Sequence, residues 1–138
     1  VTIAEKLTIP AGWQGETHEV PAVVGGTARL GIRAARVGDL VDAYPAGAND
    51  REIAVEGEPQ LQAVRDYVAG VLERDPRCRR VVLAVPEGDL EAIGWAEDAG
   101  FRFVVNVETR RGAHSLLVVE PEWVLAQPHA LEDIPIKE

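Results

Sequence analysis

The stretch Leu83-Ala84-Val85-Pro86-Glu87-Gly88-Asp89-Leu90-Glu91-Ala92-Ile93-Gly94-Trp95-Ala96-Glu97-Asp98-Ala99-Gly100-Phe101 decides how this chain folds. Its opening residues close a strand, Arg79–Val85, that is nearly continuously apolar after its two arginines, of the kind covered on both faces of a sheet. Asp89 stands where a helix N-cap belongs, because its carboxylate can accept hydrogen bonds from the free amides of the first turn. Leu90, Ile93 and Ala96 recur at helical spacing and give the helix a narrow apolar face. Gly100 can end that helix with positive φ, and Phe101 falls where a Schellman motif places its hydrophobic contact. The stretch therefore reads as strand, capped helix, and reversal into a further strand.

Working outward toward the C-terminus, Phe101–Glu108 and His114–Val119 read as two strands of an antiparallel hairpin turning at Arg110-Arg111-Gly112. Residues 121–138 contain three prolines and read as a surface tail anchored by Trp123. Upstream, Pro59 suits a first helical turn. Leu61, Val64, Val68, Val71 and Leu72 then keep helical spacing as far as Asp75-Pro76. Arg51–Glu56 precedes that helix as a short strand with Ile53 and Val55 on one face. Ala28, Leu30, Ile32 and Ala34 alternate with Arg29, Gly31, Arg33 and Ala35, the period of a half-buried strand.

Two readings of residues 27–45 compete. Leu40–Tyr44 can return as the second strand of a hairpin after Gly38-Asp39. Alternatively, Ile32–Ala35 followed by Asp39-Leu40 resembles the opening strand and helix start of many GNAT N-acetyltransferase sequences, with a helix that Pro45 limits to about one turn. We take the hairpin, which supplies sheet. Residues 1–26 are the least defined: Val1–Ile9 and His18–Val24 are candidate strands, with a turn around Trp13 between them.

The 138 residues suffice for a single domain with its own core. The net charge of −9 excludes a nucleic-acid backbone as the expected partner and disfavours an anionic membrane surface. No apolar run reaches the roughly 20 residues that span a bilayer. Val1–Pro10 lacks the basic flank and apolar centre of a secretion signal. A single cysteine, Cys78, leaves no intrachain disulfide. A cytoplasmic protein is the expectation.

The spacing Leu83-x-Val85-x-x-x-Asp89 through Gly100-Phe101 resembles the second signature of the GNAT N-acetyltransferase family. There, a strand ending Leu-x-Val is followed by three residues, an Asn, and a helix ending Tyr-x-x-x-Gly-Phe. The order strand, helix, strand, helix, hairpin from Arg51 to Val119 is similar too, over about half the chain. The resemblance implies an α+β fold, a mixed sheet with flanking helices, with the N-terminal helical region abbreviated in residues 1–26. It also implies transfer of an acetyl group from acetyl-CoA to an amine. In such an enzyme Val55 and Gly57 would line the cofactor by backbone, with Asp89 near its pantetheine arm. Glu56 is a candidate general base on the amine, against a solvated acidic loop (Glu52, Glu56, Glu58) as the plainer reading.

The departures from the family pattern are as informative. Active members carry Arg/Gln-x-x-Gly-x-Gly after the strand matching Arg51–Glu56, and its amides hold the coenzyme pyrophosphate at a helix N-terminus. Here the segment is Glu56-Gly57-Glu58-Pro59-Gln60, with two carboxylates and one amide lost to proline. The family's proton-donating Tyr is Ala96, and its Asn is Asp89. The resemblance therefore implies weak or no activity, with a non-catalytic binding or assembly domain as the alternative. The acyl acceptor (a small-molecule amine), any protein partner and the oligomeric state are not legible.

The remaining chemistry is sparse. His18, His114 and His129 lack metal-ligand spacing, so surface or strand-edge positions are expected and no metal. Cys78 enters a buried strand without a basic partner and reads as structural. Arg74, Arg77, Arg79 and Arg80 read as a solvated basic face.

Overall fold

The computed structural model describes residues 7–38, 40 and 47–126. Six strands form one mixed sheet in the order β1-β2-β3-β4-β6-β5. The strands are β1 Glu16–Pro21, β2 Thr27–Ala34, β3 Arg51–Glu56, β4 Val81–Pro86, β5 Arg102–Thr109 and β6 Gly112–Val119. The helices are α1 Leu61–Arg74 between β3 and β4, α2 Leu90–Asp98 between β4 and β5, and the short α3 Glu122–Ala126. Every neighbouring pair is antiparallel except β3–β4, which is parallel. This is the mixed sheet with flanking helices that the sequence implies.

Both long helices cover the same face. Val64, Val68 and Val71 of α1 and Ala92 and Ala96 of α2 pack with Leu30, Ile53, Val55, Leu83, Val85 and Leu117 in one main core. Alternation along the strands explains the partition, since residues two apart share a face. The other face holds a smaller cluster of Leu40, Val82, Leu116 and Val118. No α-helix precedes Leu61 among the described residues.

The deciding stretch folds as its chemistry demands. Asp89 caps α2 by accepting from the Ala92 amide at 3.1 Å. At the other end the Gly100 amide donates to the Glu97 carbonyl and the Phe101 amide to the Ala96 carbonyl, each at 3.0 Å. That pair of bonds is the Schellman motif, with Gly100 at φ +101°. Phe101 closes on the main core at 4% exposure. The apolar face of α2 is narrower than the period suggests, because Leu90 is 79% exposed and Ala92, Ala96 and Ala99 are the buried residues. Leu90 is the first residue of the helix, before the turn has rotated onto the sheet.

Four expectations are corrected in whole or in part. The hairpin of Thr27–Ala34 with Leu40–Tyr44 does not form. A strand has two edges, and those of β2 are taken by β1 on one side and β3 on the other. Leu40 lies instead in a turn, fully buried on the second face, and residues 41–46 lie outside the described residues. At the C-terminal end the anchor is Val124, at 3% exposure, rather than Trp123, at 40%. Of the candidate strand Val1–Ile9, residues 1–6 lie outside the described residues and Leu7–Ile9 carry no regular structure. The candidate strand His18–Val24 appears shifted, as β1.

Candidate functional site

The parallel junction creates the candidate site. Only Arg51–Val81, Glu52–Val82 and Ile53–Leu83 are paired between β3 and β4, although the strands run on to Glu56 and Pro86. Beyond Ile53 and Leu83 the sheet therefore splits. Ile53, Ala54 and Val55 from one strand and Leu83, Ala84 and Pro86 from the other line a gap. A split sheet exposes backbone amides and carbonyls that a continuous ladder would consume, which makes it a natural place for a ligand.

The sequence-derived site residues are placed as follows. Val55 lines the gap, with its side chain in the main core. Gly57 follows β3 with φ +83°, and a Cβ there would meet the Ala28 Cβ at 3.2 Å. Glycine is thus required twice over, by backbone conformation and by space. Asp89 spends its carboxylate on the cap of α2 and is not among the residues lining the gap.

Glu56 is heavily engaged. One carboxylate oxygen accepts from Arg29 at 3.0 Å, and the other from the Thr8 hydroxyl at 3.2 Å and the Ile9 amide at 3.4 Å. Its charge is compensated by Arg29, so Glu56 is not a bare carboxylate at the end of β3. Glu52 is not part of a solvated loop. It is 2% exposed, directly opposite Arg33 in the β2–β3 register, and paired with it at 2.9 Å. The Trp13 ring stacks on the Arg33 guanidinium at 3.9 Å. Buried charges persist only when paired and hydrogen-bonded, so Glu52 is structural.

The loop before α1 is closed by the end of β1. The Gln60 amide donates to the Pro21 carbonyl at 2.9 Å, and the Val23 amide to the Glu58 carbonyl at 2.9 Å. The Gln60 side chain donates to the Ala22 carbonyl at 3.2 Å, and Ala22 and Pro59 form a bridge. Of the amides that could face an anion, Pro59 has none and that of Gln60 is consumed. Ala96 is fully buried against the sheet, so no hydroxyl reaches the gap from that position.

Other side chains the sequence raised lie elsewhere. His18 pairs with Glu16 at 3.1 Å on the exposed edge strand. His114 is buried rather than superficial. Its Nδ1 lies 3.0 Å from the Gly112 carbonyl and 3.1 Å from the Thr109 hydroxyl, and it lines the gap from β6. His129 lies outside the described residues. Cys78 is buried, its thiol donates to the Arg80 carbonyl at 3.2 Å, and burial pushes its pKa up. The arginine run disperses: Arg77 faces Asp75, Arg80 faces Glu120, and Arg79 sits over Trp123. Among the described residues no group of three His, Cys, Asp or Glu side chains is placed to hold a metal, and no helix is long and apolar enough to cross a membrane.

The contributions the sequence concealed are those of Arg29, Arg33, Trp13 and Leu7–Ile9. Arg29 and Arg33 occupy the polar positions of an alternating strand and look like solvent-facing residues. The one available signal is Gly31 between them. A Cβ there would meet the Trp13 ring nitrogen at 2.8 Å, so the glycine marks a close approach across that face.

Comparison with solved structures shows the fold. No family model and no curated protein matches the sequence. Among solved structures, an aminoglycoside acetyltransferase AAC(6')-Ib in complex with coenzyme A and kanamycin is similar, at 19% identity and a TM-score of 0.62, over 79% of this chain and 69% of that one. The same protein with paromomycin and acetyl-CoA matches at 18% identity and a TM-score of 0.63, over 85% and 72%. An uncharacterised protein from Bacillus halodurans matches at 16% identity and a TM-score of 0.57, over 73% and 56%. A further AAC(6')-Ib structure is covered over only 63% of its length. The chain has the fold of the GNAT acetyltransferases.

Proposed function

We propose that this chain is a GNAT-type acyl-CoA:amine N-acyltransferase domain whose coenzyme cradle is closed, so that acetyl-CoA binds weakly and acetyl transfer is slow or absent. The observation that carries the reading is the set of bonds between Pro21–Val23 and Glu58–Gln60. Among those bonds the Gln60 amide, which donates to the Pro21 carbonyl, is the donor that a pyrophosphate at the start of α1 would otherwise use. Glu58 adds repulsion: at about 4 Å and an effective dielectric near 20, a like-charge contact costs about 4 kcal/mol before relaxation. The residues present therefore do not fit the phosphate end of the coenzyme. Val55 and Gly57 by backbone, and Asp89 beside the start of α2, are the positions that would approach the rest of it. Glu56 is a poor base here, since both its oxygens already accept hydrogen bonds. The acceptor in this reading is a small-molecule amine, and the setting is cytoplasmic.

The test is an acetyl-CoA titration by calorimetry with an amine-acetylation panel alongside. The expected dissociation constant is millimolar or weaker, a binding free energy of no more than about 4 kcal/mol. Glu58→Arg should tighten binding, and added salt should shrink the difference from the parent by screening. Micromolar binding by the parent, or clear acetylation of an amine, sinks the closed-cradle reading and restores a working enzyme.

A second reading has one observation in its favour. Phe103, Val104 and Val105 stand 41–46% exposed on the edge strand β5, and an exposed apolar edge is a template for association. That favours a non-catalytic binding or assembly role on the same fold, with a protein partner.

A further inference from the structure

The gap between β3 and β4 is filled by the chain itself. Leu7, at 8% exposure, belongs to the main core. With Thr8 and Pro10 it lines the space between the separated strands. Beside it the Thr8 hydroxyl and the Ile9 amide both donate to Glu56 Oε1. The segment then crosses the sheet face opposite α1 and α2. Trp13 seats on Gly31 and under Arg33, and its indole donates to the Glu16 carbonyl at 3.3 Å. What remains open is a cavity of about 80 Å³.

We propose that this gap is a peptide-binding slot, occupied by the chain's own residues 7–10 as an internal ligand. Three features define the ligand class: an extended peptide with an apolar side chain, then a hydroxyl residue, then a backbone amide. The apolar side chain enters the split in the sheet, where Leu7 exchanges water for core contacts. The hydroxyl and the amide share one oxygen of Glu56, whose other oxygen is fixed by Arg29. A carboxylate accepting two donors from adjacent residues reads backbone geometry as well as charge. The slot shares its gap with Val55, which would approach the coenzyme, but it rests on the contacts of residues 7–10 and not on the bonds that close the cradle, so peptide binding tests it apart from the acetyl-CoA titration. Tethering makes the internal segment a strong competitor, because a short connection gives an effective concentration in the millimolar range.

The experiment uses the full chain, the variants Leu7→Asp and Thr8→Val, and the free acetylated peptide Leu-Thr-Ile-Pro-Ala-Gly-Trp-Gln, which copies residues 7–14. In Leu7→Asp, amide exchange at Ile9 and at Ala54–Glu56 should quicken at least tenfold while α1 keeps its protection. The free peptide should bind that variant at least tenfold more tightly than the parent. A peptide in which Thr is replaced by Val should bind less well. Unchanged exchange at Ile9 in Leu7→Asp would show that the gap does not hold the segment, and would overturn the proposal. So would accelerated exchange without any gain in peptide binding. If Leu7→Asp loses protection in α1 as well, Leu7→Ser replaces it. Thr8→Val, which leaves the core contact intact, supplies the same comparison through exchange at Ile9 and Glu56.

Discussion

Phe101 concentrates the demands of this fold in one side chain. It follows the positive-φ glycine that ends α2 and closes on the main core as the chain turns into β5. Phe101→Ala removes buried area and leaves a cavity, for an expected loss of about 3–5 kcal/mol. Set against a typical total of about 5–15 kcal/mol, that is severe. Urea denaturation of the variant checks it, and a loss below about 1 kcal/mol would mean that Phe101 does not carry the reversal. Glu56 teaches the complementary lesson. From its type and position it looks like a repulsive charge at an anion site, yet Arg29 across the strand pair and the segment Thr8-Ile9 convert it into an anchor. A charge is readable in a sequence. Its partner is readable only once distant strands are paired.

At the scale of elements, the two long helices begin differently. Asp89 caps α2 through its side chain, whereas Gln60 gives α1 no side-chain cap and lends both its amide and its side chain to the end of β1. Asp89→Ala should cost about 0.5–2 kcal/mol, the usual range for a lost N-cap. Asp89→Asn, which keeps an acceptor oxygen, should recover most of it. Thermal melts of the two variants decide the matter, and equal losses would place the role of Asp89 outside the cap. These local devices were legible: cap, helical spacing, glycine stop and plugging phenylalanine all lie within one stretch and act on their neighbours. The partner of β2 was not. Its alternation marks a strand but not which segments flank it, and Leu40 and Val41 are as apolar as any returning strand. Arg33 and Glu52 lie on opposite strands with no local sign of pairing, and Trp123 outbids Val124 by size alone. In the candidate site, the missing glycine-rich loop and the absent tyrosine could be read directly. The closure of the loop by Pro21–Val23 and the occupation of the gap by Leu7 could not, because both depend on contacts across tens of residues.

Among the described residues the sheet is two antiparallel halves, β1-β2-β3 and β4-β6-β5, joined by three residue pairs and by α1. That short seam has a consequence for the order of folding. The β5–β6 hairpin turns through two residues, and hairpins of this kind form within about 1–10 μs. The seam instead needs β3 and β4 brought together across α1, and the loop entropy of that closure is spent before the contacts return it. The seam is therefore expected to form after the rate-limiting barrier and the hairpin before it. Leu83→Ala should leave the refolding rate nearly unchanged and speed unfolding, giving a φ-value near 0, whereas Leu116→Ala should slow refolding. The opposite ranking in stopped-flow chevrons would place the join between the halves first. On the expected order the two halves arrive separately, and the opening at which this fold can hold a ligand is the last part of the sheet to be made.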